Sequence, residues 1–199
     1  ANPITFAGPS NGQSVDFTGG AGIRDGWHLT NNRSVRLQFL AIWGYTNGIR
    51  LTAGSNNRVR RVTIGSATRN GVYALAGSAK NTFTSNSVLS NGSRGFFFSS
   101  CRTNFLFRNT VTRGATNGIE ASLTTNIRIA SNFIRSNGSV GILVTTASRG
   151  AAIIGNTVIS NRNKGVMVYG AGTALFEIRG NRVERQNNEG IYVEQGPTG

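Results

Sequence analysis

Cysteine, histidine, proline and acid are all scarce in this chain. Cys101 is the only cysteine of 199 residues, which excludes an internal disulfide framework and any multi-cysteine zinc site; a small buried thiol is the preferred reading. His28 is the only histidine, so an imidazole-based metal site would need carboxylate help, and Asp25 is the only acid close to it. No metal and no cofactor is expected. No apolar run approaches the roughly 18 residues that cross a bilayer as a helix, and no cleavable leader is visible. No membrane insertion is expected, and a start at Ala1 fits a mature secreted or cell-surface protein.

The shortage of acids sets the charge. Seven Asp and Glu against 21 Lys and Arg leave +14, a field that favours polyanions such as acidic polysaccharide over neutral partners. Arginines such as Arg36, Arg60, Arg69, Arg94, Arg128 and Arg179 fall in different registers of the pattern described below, so the charge reads as diffuse. Nucleic acid is not expected as the partner, because no recognised motif accompanies the charge.

Against three prolines stand 27 glycines, and they are periodic. A glycine followed by an apolar–any–apolar triplet returns at Gly26, Gly48, Gly71, Gly95, Gly118, Gly141, Gly165 and Gly190, at intervals of 22 to 25 residues. Each opens a short strand with two inward side chains, from Trp27 and Leu29 to Ile191 and Val193. Nine residues before the glycine lie Asn86, Asn109, Asn132, Asn156 and Asn181, with Phe39 and Val62 at the earlier equivalents; two residues further on, Ala41, Ile64, Val88, Val111, Ile134, Val158 and Val183 make a second apolar column. Identical asparagines stacked about 4.8 Å apart can satisfy one another's amides, so an internal asparagine ladder is expected. Val59, Phe83, Leu106, Ile129, Ile153 and Ile178 supply a third column, with Val35 and Leu37 near the equivalent place.

Three apolar columns and a ladder in phase imply an all-β solenoid of about eight coils, roughly 23 residues and three short strands each. This pattern, over residues 15–195, resembles the right-handed parallel β-helix family, the fold of pectate lyases, chondroitinase- and alginate-lyase-like enzymes, alginate epimerases and many secreted repeat proteins. One domain, 1–199, is expected, with no clear cap at either end. Uncapped ends predict either a fragment of a longer helix or ends covered by other copies, and such end-to-end association does not close and so makes filaments.

On a solenoid, function is read from outward columns. The position between the two inward residues of the glycine strand reads His28, Arg50, Tyr73, Phe97, Glu120, Leu143, Met167 and Tyr192. Five of the eight are apolar or aromatic, so an exposed binding stripe is expected over Arg50, Tyr73, Phe97, Glu120, Leu143, Met167 and Tyr192. Hydrolysis of glycosidic bonds needs paired carboxylates, yet one coil either way from Glu120 reaches Phe97 and Leu143. A polygalacturonase-type mechanism or a clustered-carboxylate calcium site is therefore not expected. What the resemblance implies instead is a uronate lyase or C5-epimerase, for which Lys164, Arg50, Tyr73 and His28 are the candidates. The leading expectation is a structural or adhesive solenoid that self-associates and binds acidic glycans, with no residue assigned to catalysis.

Overall fold

The computed structural model describes residues 4–8, 15–19 and 24–195. All 24 of its strands fall into three eight-stranded parallel sheets. Sheet A runs from Thr5–Ala7 through Arg36–Gln38 to Glu177–Arg179, sheet B from Val15–Thr18 through Leu40–Trp43 to Arg182–Glu184, and sheet C from Asp25–Thr30 through Asn47–Thr52 to Ile191–Gln195. Each strand pairs with the strand one coil on, so the chain visits A, B and C in turn and climbs one coil per circuit. Among the described residues there is no helix.

Strands this short are set by sterics at their ends and by burial of their centres. The middle residues of sheets A and B and the two inward residues of sheet C point to one axial core: Leu37, Ile64, Val88, Leu106, Ile119, Ile142 and Val166 are among those at 1% exposure or less. Phe83, Phe96 and Phe98 fill its middle, with Phe83 edge-on to both others at 5.6 and 5.7 Å between ring centroids.

The corners explain the ladder. Between sheets A and B one residue per coil adopts a left-handed conformation: Phe39, Arg61, Ser85, Arg108, Ser131, Gly155 and Gly180, at φ 51 to 62°. Such a backbone is costly for a side-chain-bearing residue. The next residue in five of these coils is the ladder asparagine, whose amide holds the corner. Asn109 is typical. Its Oδ1 accepts from the backbone N–H of Asn86 at 3.0 Å and from Asn86 Nδ2 at 2.9 Å, while its own Nδ2 donates to Phe83 O at 3.0 Å and Asn132 Oδ1 at 2.9 Å.

The earlier equivalents shift by one. Ile42 pairs with Ile64, which puts Leu40, not Phe39, at the ladder position beside Val62, and Ile42, not Ala41, in the apolar column. The cause is a turn one residue shorter: residues 44–47 do in that coil what residues 66–70 do in the next. Two further ladders exist that the sequence pattern did not reveal. Asn57, Asn81 and Asn104 stack at the corner entering sheet A, and Asn137, Asn161 and Gln186 at the corner leaving sheet B.

Candidate functional site

The eight outward residues of sheet C stack in register, His28 on Arg50 on Tyr73 on Phe97 and so on to Tyr192. Exposure along this column is uneven. Glu120 is 7% exposed and Leu143 9%, while Tyr73, Phe97, Met167 and Tyr192 are half-buried. The residue before each repeat glycine covers the column along one side: Asp25, Asn47, Asn70, Arg94, Asn117, Val140, Lys164 and Glu189 form a parallel row, tied from coil to coil by backbone bonds such as Gly71 N–H to Arg94 O.

These two rows enclose a hollow of about 360 Å³ lined by Arg24, Asp25, Asn47, Arg50, Arg69, Asn70, Tyr73, Arg94 and Phe97, with Thr46. Four guanidinium groups and one carboxylate therefore line the same space. The diffuse basic surface expected from the registers is a concentrated one here, because the long side chains of Arg24 and Arg69, in the turn before sheet C, reach the space that Arg50 and Arg94 border from the strand and its edge.

The geometry inside is fixed. Tyr73 and Phe97 stack face to face, centroids 5.1 Å apart and planes 5° apart. Arg50 lies over Tyr73 at 5.8 Å and Arg94 over Phe97 at 4.2 Å, a stack of guanidinium, ring, ring, guanidinium. Arg94 Nε also donates to the buried Glu120 Oε2 at 2.5 Å, and Asn117 Nδ2 donates to that oxygen at 2.7 Å. At the other end Asp25, its side chain 5% exposed, has Oδ2 at 3.8 Å from both His28 Nδ1 and Arg50 Nη1. Asn47 Nδ2 donates to Asp25 Oδ1 at 2.8 Å and Asn70 Nδ2 to Asn47 Oδ1 at 3.0 Å. Among the described residues, Asn70 Oδ1 and Arg50 Nε are buried with no hydrogen-bond partner.

Of the four residues considered for catalysis, the structure brings His28, Arg50 and Tyr73 to this end of sheet C and leaves Lys164 out. Lys164 stands three coils beyond Arg94, paired with Glu189 at 3.0 Å and 4.8 Å over the Tyr192 ring. The Glu189 carboxyl is held below the usual range by its own backbone amide and by Lys164, and Tyr192 is pushed up by its bond to Glu194. Of the lining residues, the candidate site drawn from the sequence held only Arg50, Tyr73 and Phe97; Arg24, Asp25, Arg69 and Arg94, with Thr46, Asn47 and Asn70, lay outside it, although Asp25 carried a signal as the residue preceding the first repeat glycine. Cys101 is buried, and burial raises its thiol to about 12, so it stays protonated. No three of His, Cys, Asp and Glu cluster as a metal site would need among the described residues.

A parallel solenoid with a guanidinium-lined hollow on one sheet is a repeat scaffold that presents side chains along its axis. A profile described as "right handed beta helix region" matches residues 25–177 and 100–199, and the chain belongs to that family. No curated protein matches it in sequence. Among solved structures, the periplasmic alginate epimerase AlgG is similar at 14% identity and TM-score 0.66, over 87% of this chain and 48% of that one. An alginate lyase from Paenibacillus sp. str. FPU-7 is similar at 14% identity and TM-score 0.57, over 98% and 91%. The Streptococcus pneumoniae surface protein and adhesin PfbA is similar at 9% identity and TM-score 0.59, over 92% and 66%. The chain thus spans about half the length of the epimerase, and identities this low establish the shared fold alone.

Proposed function

We propose that this chain is a glycan-binding solenoid of a secreted or cell-surface setting, which takes acidic polysaccharide on sheet C. The observation that carries the reading is the hollow where Arg24, Arg50, Arg69 and Arg94 surround stacked Tyr73 and Phe97. Guanidinium forks meet carboxylates two-pronged, and the unpartnered Asn70 Oδ1 is suited to a sugar hydroxyl. The same architecture in an alginate epimerase and an alginate lyase supports a glycan over other polyanions, and that in a surface adhesin supports a surface setting. Binding of polygalacturonate or alginate, measured by titration calorimetry, is expected to weaken at least tenfold in Arg24→Ser/Arg69→Ser, two exposed residues whose loss leaves the core untouched. An unchanged affinity sinks the reading.

Self-association belongs to the same reading. Its support is the last described strand, where the inward-register residues Ile191 and Val193 are 49% and 46% exposed, an apolar surface that a further coil, of this chain or of a second copy, would cover. Sedimentation is expected to show concentration-dependent chains of copies; a monomer at every concentration removes this half and leaves glycan binding standing.

One observation favours a second reading, a uronate lyase or C5-epimerase. His28, Asp25 and Arg50 meet at the hollow's end, which supplies an imidazole to move the proton beside a uronate carboxylate and a guanidinium to neutralise that carboxylate. Unsaturated or epimerised products from alginate, lost in His28→Ala, would establish it.

A further inference from the structure

Sheet A carries a similar set of two rings and two guanidinium groups on another face of the coil, here with both rings on one strand. Phe105 and Phe107 both point outward from one strand, flanking the buried Leu106, and stack with centroids 5.6 Å apart and planes 16° apart. Arg108 lies over Phe107 at 4.7 Å and Arg128 over Phe105 at 5.9 Å. A ring pair with a guanidinium group over each ring therefore occurs twice in the molecule. A planar guanidinium stacked on a ring keeps its N–H edges free to meet an anion.

The rest of that face continues the charge. Towards the N-terminal coils the outward positions of sheet A read Thr82 and Thr84, then Arg58 and Arg60, then Arg36 and Gln38, with Arg36 directly against Arg58 and Arg58 against Thr82. Like charges directly opposite on neighbouring strands destabilise a sheet. No carboxylate among the described residues forms an ion pair with Arg36, Arg58, Arg60, Arg108 or Arg128; the six ion pairs found lie elsewhere. From Arg36 to Arg128 is four strand steps, about 19 Å along the axis at about 4.8 Å each, and no outward position over that length is acidic. Shallow hollows of about 160 and 350 Å³ lie between these arginines and beside Thr82 and Thr84. Guanidinium groups gathered on one face with no acid between them are what an anion lying along it would stabilise.

We infer that sheet A is a second, independent site for an acidic glycan, running along the solenoid axis, so that one molecule holds two glycan chains and cross-links them. The inference rests on the glycan reading of sheet C and adds a ligand chain to it. The class follows from the rings. Single-stranded nucleic acid binds by stacking bases on exposed aromatic faces, whereas Phe105 and Phe107 stack on each other and under Arg108 and Arg128. What the face offers is guanidinium edges and threonine hydroxyls, suited to the carboxylate or sulfate and the hydroxyls of a charged sugar.

The test uses the full chain and size-defined galacturonate oligomers, with heparin oligosaccharides of equal length as the sulfated arm. Titration is expected to give two equivalents bound per chain, falling to one in Arg36→Ser/Arg58→Ser/Arg60→Ser and to one in Arg24→Ser/Arg69→Ser. All substituted residues are exposed, and unchanged melting temperatures would show that both variants fold. Long polygalacturonate should turn cloudy with the parent protein and stay clear with either variant. Whichever oligomer binds the Arg24→Ser/Arg69→Ser variant more tightly identifies the carboxylated or the sulfated source. One equivalent in the parent, abolished by Arg24→Ser/Arg69→Ser and untouched by the triple variant, overturns the second site while the sheet C reading stands. No binding by the parent at all removes both. Single-stranded DNA displacing the oligomer from the Arg24→Ser/Arg69→Ser variant at equal charge overturns the glycan assignment of sheet A.

Discussion

At the scale of one residue, the asparagine amide is the group on which this fold depends most visibly. Asn109 is 1% exposed and its side chain satisfies Asn86 N–H and Nδ2, Phe83 O and Asn132 Oδ1. Asn109→Ala strands these groups inside the protein, each at roughly 1–3 kcal/mol. The corner before it also keeps Arg108 at φ 54° without the amide that holds it there. We expect a loss of about 3–5 kcal/mol in urea unfolding, at the large end of single substitutions. Asn181→Ala, at a half-buried rung, should cost markedly less. Equal losses at the two positions would mean that the ladder follows the corner rather than holding it.

At the scale of the element, the repeat glycine is a spacing device. Built on Gly118, a Cβ would stand 2.6 Å from Ile134 Cγ2 and 2.7 Å from Gly141 O, and the equivalent clash with the next coil's carbonyl recurs at Gly48, Gly71, Gly95, Gly141 and Gly165. Sheets B and C meet here too closely for any side chain. Gly118→Ala is therefore expected to cost about 1–3 kcal/mol by overpacking. Gly77, at φ +78° with open space around it, should lose only about 1 kcal/mol on replacement by alanine. Calorimetric melting of the two variants checks the order; a larger loss at Gly77 would show conformation outweighing contact. This column is also why the fold could be read from the sequence. A backbone contact that repeats every coil demands the same residue every coil, and the apolar columns inherit its phase. The other two asparagine ladders escaped notice because Ala67 and Gly114 interrupt one and Ile127 and Ala151 end the other. The site was legible only in part. The outward register gave Arg50, Tyr73 and Phe97, but the convergence of Arg24 and Arg69 depends on how long side chains from turns lie across neighbouring coils, which register does not encode.

At the scale of the molecule, a solenoid is held together coil to coil, and its coils can open from an end. The final coils have less to hold them than the middle ones: Asn181 and Gln186 are half-buried where Asn109 and Asn132 are buried, and Ile191 and Val193 stand about half exposed. Much of what remains there is ionic. Glu184 is held below the usual carboxylate range first by its bond from Arg182, and Glu189 by its own backbone amide and then by Lys164. Carboxyls whose folded-state pKa is lowered stabilise the fold above their unfolded value, and that contribution is lost as pH falls through the ordinary carboxylate range to the folded one. Both groups are exposed, so each contribution is small and screened by salt. The coils they serve have less burial in reserve than the middle of the solenoid. On acidification, hydrogen-exchange protection over residues 177–195 should therefore fall before that of middle strands such as Phe105–Phe107 and Ile119–Ser122, and Glu184→Gln/Glu189→Gln should show that fraying already at neutral pH. Protection lost evenly along all the coils would show that acid acts on the axial core rather than on these pairs.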